Sequence, residues 1–385
     1  MSSQAEHDLT LIPGPIEFDD QVLNAMSHPT VAHTAKPFVS TFSQVLKSLR
    51  TLFFSKDPKA QAFVIAGSGT LGWDIVSSNL IEAGENALVL NTGYFSDSFA
   101  DCLGVYGAKV DQLRAPIGDR PGLNEIEAAL KSKNYKIITI THVDTSTGVL
   151  SDIKAISEVV HKVSPDTLVV VDGVCSVGVE EIRFDDWGLD FVLSASQKAI
   201  GAPAGLSISF ASARALATVE SRKTPVASYF ASLLRWAPIM RAYESDKPAY
   251  FATPAVQNVY ALHEALRQIT SGGESAIVER FKVHQHASDR VKDTVEGLGL
   301  KLVAVRRDIA AHGMSAVYLP EGVQNTDLLP WFLKHKVVLA GGIHKEIATK
   351  YFRIGHMGVS VTNPSLGHLD KILTLLPEAI KSAKN

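Results

Sequence analysis

Cysteine is nearly absent: of 385 residues only Cys102 and Cys175 carry a thiol. Two thiols cannot build a disulfide framework or a cysteine-rich metal site, and they suit a reducing compartment. The thirteen histidines are scattered and form no H-E-x-x-H, so no metal is expected. No stretch approaches the roughly 20 apolar residues of a membrane span. Neither sign of charge dominates. A formal net charge of −3 argues against a surface built for nucleic acid or anionic lipid. The opening MSSQAEHDLT has no apolar core and no arginine, unlike a secretory signal or a transit peptide. The closing KSAKN is not an S-K-L type tail, and the cytoplasm is the expected location. Internal repeats and low-complexity segments are missing too.

What is present is an ordinary globular composition, 46% hydrophobic and 20% charged, on a chain long for a single core. We divide it into an arm over 1–20, a large domain over 21–270 and a small domain over 271–385. The arm contains LTLIPGPIEF (9–18), extended and broken by Pro-Gly-Pro, and such an arm often lies over a neighbouring surface. From Pro37 to Phe54 the apolar positions follow helical spacing. Strands and helices then alternate: strands at 62–66, 87–90, 109–113, 136–142, 168–172, 191–196 and 206–210, helices at 70–83, 96–106, 123–131 and 152–163. This alternation predicts an α/β fold, a mostly parallel sheet sandwiched by helices. Residues 221–253 read as irregular and 255–297 as long helices. A smaller α/β unit follows, with strands near 302–305, 314–319, 337–341 and 351–355 and a last helix over 366–382.

The chemistry gathers at strand ends. The run FVLSASQKAIGAPAG (191–205) is a buried strand opening into small residues around one lysine, Lys198. Lysine forms Schiff bases with carbonyl compounds once desolvation or a neighbouring cation depresses its pKa. Upstream, LVVVD (168–172) is an apolar strand ending in Asp172. The pair suits a pyridoxal-phosphate site, where an aspartate meets the pyridinium nitrogen and a lysine carries the aldehyde. Taken alone, Lys198 would be a loop lysine at a strand end.

Gly67-Ser68-Gly69-Thr70-Leu71-Gly72 follows the 62–66 strand and opens a helix, whose first N–H groups and dipole favour a phosphate. The string also fits the dinucleotide fingerprint, but the next strand ends Leu90-Asn91-Thr92-Gly93 without the acid that a ribose needs. A single phosphate cup is the better reading, with a plain tight turn as the bland one. Phe95, beyond that strand, could stack on a cofactor ring. HVDTSTG (142–148) is a polar loop at the end of the 136–142 strand, where open α/β sheets bind ligands.

The chain resembles the alanine–glyoxylate and serine–pyruvate aminotransferases, pyridoxal-phosphate enzymes of fold type I, and most closely their fungal members. The resemblance covers nearly the whole length. It rests on PGP (13–15), GSGT (67–70), HVDTSTGVL (142–150), VVDGVCSVG (170–178), SASQKAIGAPAG (194–205), YFAT (250–253) and FRIGHMG (352–358). It implies pyridoxal 5′-phosphate as cofactor, held through its aldehyde carbon by Lys198 and through its ring nitrogen by Asp172. Val174 would pack on one ring face and Phe95 on the other, where many relatives have tryptophan. Ser68, Gly69 and Thr70, helped by Gln197, would bind the phosphate. Thr145 would stand by the ring hydroxyl, in the place of a serine in relatives. Arg353 would clamp the substrate carboxylate. Tyr250 and Thr253 would reach the phosphate of a partner subunit, so a homodimer is expected. His33 and His356 are pocket candidates that read better as structural histidines. A cysteine desulfurase would need a nucleophilic cysteine late in the chain, and the last one is Cys175. The implied reaction moves the amino group of alanine to glyoxylate, with serine as the competing donor and a nicotinamide oxidoreductase as the distant alternative.

Overall fold

The computed structural model describes residues 4–384; the first three residues of the arm and Asn385 lie outside the described residues. Seven strands form the central sheet: β1 (Gln61–Ala66), β2 (Asn86–Asn91), β3 (Lys109–Arg114), β4 (Ile137–Thr141), β5 (Leu168–Asp172), β6 (Phe191–Ala195) and β7 (Leu206–Ala211). Their order across the sheet is β1-β7-β6-β5-β4-β2-β3. The central strands are Val/Ile/Leu runs buried along their whole length, because helices cover both faces. Every strand runs parallel except β7, which is antiparallel to both β6 and β1. The reason is local. A ten-residue connection, 196–205, is too short for a crossover helix, so the chain turns straight back. Lys198 sits in that turn.

The 37–54 expectation becomes the helix Lys36–Leu52, with Phe38, Phe42, Val45, Leu46, Leu49 and Leu52 on its buried face. The 221–253 stretch is less irregular than its sequence reads. It holds the helix Leu233–Glu244, whose buried Leu233, Trp236, Met240 and Tyr243 follow the helical period. Pro238 inside that helix removes one ladder donor and hides the pattern.

The smaller sheet comprises β8 (Met314–Tyr318), β9 (Ala340–Gly341) and β10 (Tyr351–Gly355), with β10 in the middle and all pairs antiparallel. The strand expected at 302–305 does not form. Val303 N–H donates to Ala316 O, but Val305 N–H turns away to Gly118 O, so the ladder stops after one bridge. The expected 337–341 strand splits in two. Val337–Val338 pairs in parallel with Leu9–Thr10 of the arm, while Ala340–Gly341 pairs with β10.

The arm therefore packs on its own chain. Leu9 and Leu11 are buried in a second hydrophobic cluster with Phe332, Val337, Phe352, Ile354 and Leu376. The first cluster spans the seven strands and their helices. The helix Gly273–Gly297 belongs to both, giving Ile277 to one and Val291 and Val295 to the other.

Candidate active site

Strand ends meet at one edge of the large sheet around a cavity of about 180 Å³. β1 stops at Ala66, and the chain turns through Gly67 and Ser68 into the helix Gly69–Asn79. Ser68 is in the N-cap position but its hydroxyl makes no capping bond; the Leu71 N–H donates to Ser68 O at 3.1 Å, while the Gly69 and Thr70 N–H groups come before the first helical bond. A carbon added at Gly69 would come within 2.8 Å of Val174 Cγ2, so only glycine lets this turn close on the strand ends.

Asp172 ends β5, flanked in register by Thr141 and Leu193. Its carboxylate accepts from Trp73 Nε1 at 2.8 Å and from the Val174 N–H at 3.0 Å. Burial pushes the carboxyl up to about 6; the Val174 and Trp73 donors, and the Lys198 charge, pull the other way. Lys198 is buried across the same cavity, where burial lowers its pKa and the Arg353 charge adds to the effect. Its amine donates to Pro13 O on the arm. Gly14 has φ +106°, and a carbon there would meet the Lys198 side chain at 2.4 Å, so the arm lies directly on the lysine.

Phe95, Val174, Thr145, Gln197, Ser68, Gly69 and Thr70 line the same cavity as Asp172 and Lys198. The loop carrying Thr145 is fixed by Asp144, which is fully buried and accepts from Ser146 N at 2.9 Å and Ser146 Oγ at 2.6 Å. Arg353 does not line the cavity itself. It lies against the wall, its Nε donating to Gly341 O at 2.8 Å and its Nη1 to Thr145 O at 3.3 Å. Tyr250 and Thr253 are exposed and away from the cavity of their own chain; the Tyr250 ring lies 5.1 Å from that of His33. His356 is buried against Ser315 Oγ at 2.9 Å, held neutral by burial at a pKa of about 3, and does not line the cavity.

Sequence reasoning missed Trp73, which lines the cavity and orients Asp172. A signal was there: Trp73 lies four residues past Gly69 and so on the same helix face. It also gave no role to Pro13 and Gly14, which carried no titratable group to flag them. Cys175 lines the cavity as well, with burial pushing its thiol up.

A pyridoxal-phosphate group fits these residues. A buried carboxylate and a buried amine face one cavity, the helix start at Gly69 and Thr70 lies at its rim, and Gln197 lines it with an amide that can donate to a phosphate.

The fold and site define a class of enzyme, and comparison with known proteins agrees with it. The family model for class-V aminotransferases matches residues 19–357, and the chain belongs to that family. It is 48% identical to alanine–glyoxylate aminotransferase 1 of Saccharomyces cerevisiae, covering 98% of this chain and 99% of that one. It is 31% identical to an alanine–glyoxylate aminotransferase of Drosophila melanogaster, covering 97% and 92%. The crystal structure of an alanine–glyoxylate aminotransferase from Nostoc sp. superposes with a TM-score of 0.89 at 28% identity, covering 98% of this chain and 96% of that one.

Proposed function

We propose that this chain is a pyridoxal-phosphate-dependent alanine–glyoxylate aminotransferase, converting alanine and glyoxylate into pyruvate and glycine. The observation that carries the reading is Asp172 and Lys198 facing one small buried cavity beside a helix start. When bound, the cofactor supplies an aldehyde carbon for the amino group and a ring that spreads the charge left by a lost proton. Asp172 would keep the ring nitrogen protonated. Lys198, its pKa lowered by burial, would move the proton at the substrate carbon beside the carboxylate. Ser68, Gly69, Thr70 and Gln197 would hold the phosphate, Phe95 and Val174 the ring faces, and Thr145 the ring hydroxyl. Arg353 would present its planar fork to the substrate carboxylate.

Adding pyridoxal phosphate to the purified protein and measuring turnover of alanine with glyoxylate tests this, with serine as a parallel donor. No near-ultraviolet or visible band, or turnover of neither donor, refutes the reading. Higher kcat/KM for serine would move the donor assignment. Arg353→Lys is expected to keep the cofactor band and raise KM for both alanine and glyoxylate by roughly tenfold or more, the loss of one charge-assisted bond. Unchanged KM values would remove Arg353 from substrate binding.

We also propose that the working form is a homodimer in which Tyr250 and Thr253 reach the partner's phosphate. Support comes from the segment 229–251, where Tyr229, Phe230, Leu234 and Tyr250 are all exposed. A two-fold dimer would then have two composite sites. Mixing Lys198→Ala subunits with Tyr250→Phe/Thr253→Ala subunits should restore activity neither has alone, because one hybrid site collects both lesions and the other none. Subunit exchange without recovered activity would end the shared-site reading.

A further inference from the structure

The helix Gly273–Gly297 brings a guanidinium against the two loops that carry the reacting groups. Arg280 donates through Nε to Gly178 O at 2.9 Å and through Nη2 to Ala199 O at 2.8 Å. Ala199 directly follows Lys198, and Gly178 lies in the loop that begins at Asp172. Among the described residues no carboxylate forms an ion pair with it. Burial lowers its pKa to about 10. The side chain is half-buried, and drawing a guanidinium partly out of water for two backbone carbonyls carries a desolvation cost that the two bonds must offset.

The Lys198 turn is otherwise closed mostly upon itself. Gly201 N–H donates to Lys198 O at 2.8 Å, Ala202 N–H to Ser196 O at 3.0 Å, and Ser196 Oγ to Pro203 O at 2.7 Å. These bonds shape the turn without setting its distance from the loop after Asp172. The arm adds two ties, Ile16 N–H to Gln197 O at 3.2 Å and the Lys198 amine to Pro13 O, and the far end of the turn is held by Asn258 Nδ2 to Ala204 O at 3.2 Å and Gly67 N–H to Gly205 O at 2.9 Å. Among the described residues Arg280 is the side chain that hydrogen-bonds both loops with one rigid group, and a planar fork fixes distance and angle together.

We propose that Arg280 is a positioning residue for Lys198, its fork clamping the lysine turn to the loop that follows Asp172. The inference rests on the proposed function above, since it concerns the amine assigned there to the cofactor. Arg280 touches neither the cavity nor any reacting atom; it acts through the backbone beside Lys198.

The test compares wild type, Arg280→Lys, Arg280→Met and His284→Asn, each loaded with pyridoxal phosphate. His284 lies one turn further along the same helix; its Nε2 accepts from the Gly358 N–H at 3.1 Å and its Nδ1 donates to the Arg280 backbone carbonyl at 2.8 Å, so its loss perturbs the helix at Arg280 while leaving the guanidinium and the lysine turn in place. Three quantities are read: melting temperature, the pH midpoint of the cofactor's absorption band, and kcat against KM for alanine. Arg280→Lys keeps the positive charge but replaces the rigid planar fork by a single point donor on a flexible stem. It is expected to lower kcat by about ten- to a hundredfold at a KM within about twofold, and to shift the band midpoint, as a misplacement near 1 Å does. Arg280→Met should do so more strongly. His284→Asn should lower the melting temperature and leave the midpoint in place.

Wild-type kcat per bound cofactor and an unmoved midpoint in Arg280→Lys overturn the proposal, whatever happens to melting. A midpoint moved equally by His284→Asn also overturns it, by assigning the effect to the helix as a whole. If Arg280→Met does not fold, Arg280→Lys decides. Failure of Arg280→Lys to fold counts against the proposal, because it makes Arg280 a folding residue. A wild type that takes up no cofactor is a different result and refutes the proposed function instead.

Discussion

Lys198→Ala is expected to abolish transamination, lowering kcat by more than about 10⁴-fold, the upper end of what general acid–base catalysis supplies by itself. The loss should exceed that figure because nucleophile and base disappear together. The protein should still take up pyridoxal phosphate, since the first-turn N–H groups at Ser68–Thr70 and the carboxylate of Asp172 do not depend on the lysine. Borohydride reduction followed by intact mass separates the two states. The wild type should gain the reduced cofactor covalently and Lys198→Ala should not. Covalent trapping in Lys198→Ala would place the attachment at another lysine and undo the assignment of Lys198.

Asp172→Asn is expected to lower kcat by about a hundred- to a thousandfold, the range for removing one preorganised electrostatic partner of the developing charge. Its pH behaviour gives an independent check. The Asp172 carboxyl sits at about 6 because burial disfavours its charged form. A raised carboxyl pKa means that the cofactor-free fold binds this proton more tightly than the unfolded chain does. The group's contribution to stability is therefore fully present below the ordinary carboxylate range and is lost as pH rises through about 6. Ionised Asp172 is a strained buried charge waiting for a cation. Binding of pyridoxal phosphate should relieve it above pH 6 and weaken below, as the carboxyl takes up its proton. Asp172→Asn should show a flatter affinity profile between pH 5 and 8, measured side by side. Titrations of the cofactor itself act on both proteins alike, so the difference isolates Asp172. Parallel profiles would mean that Asp172 does not face the bound ring nitrogen.

The sequence by itself determined the strands of the large sheet and the kind of residues at its edge. Val, Ile and Leu runs bounded by polar or small residues must be buried strands. Asp172, Lys198 and the Ser68–Thr70 turn then fall at one edge, because parallel strands all end on the same side. The family motifs told which of those residues to join into one site. Other features depended on partners far away in sequence. Whether 302–305 forms a strand turned on Val305 bonding Gly118 instead of the small sheet. The helix Leu233–Glu244 exists despite Pro238 because Trp236, Met240 and Tyr243 find a hydrophobic core to enter. The arm became a strand partner of Val337–Val338 and a lid on Lys198, a role that no local pattern in LTLIPGPIEF encodes. Trp73 and Arg280 act on Asp172 and on the Lys198 turn across separations of about a hundred residues or less. Periodicity can say that such side chains point inward; only the packed chain decides which carbonyl or carboxylate meets them there.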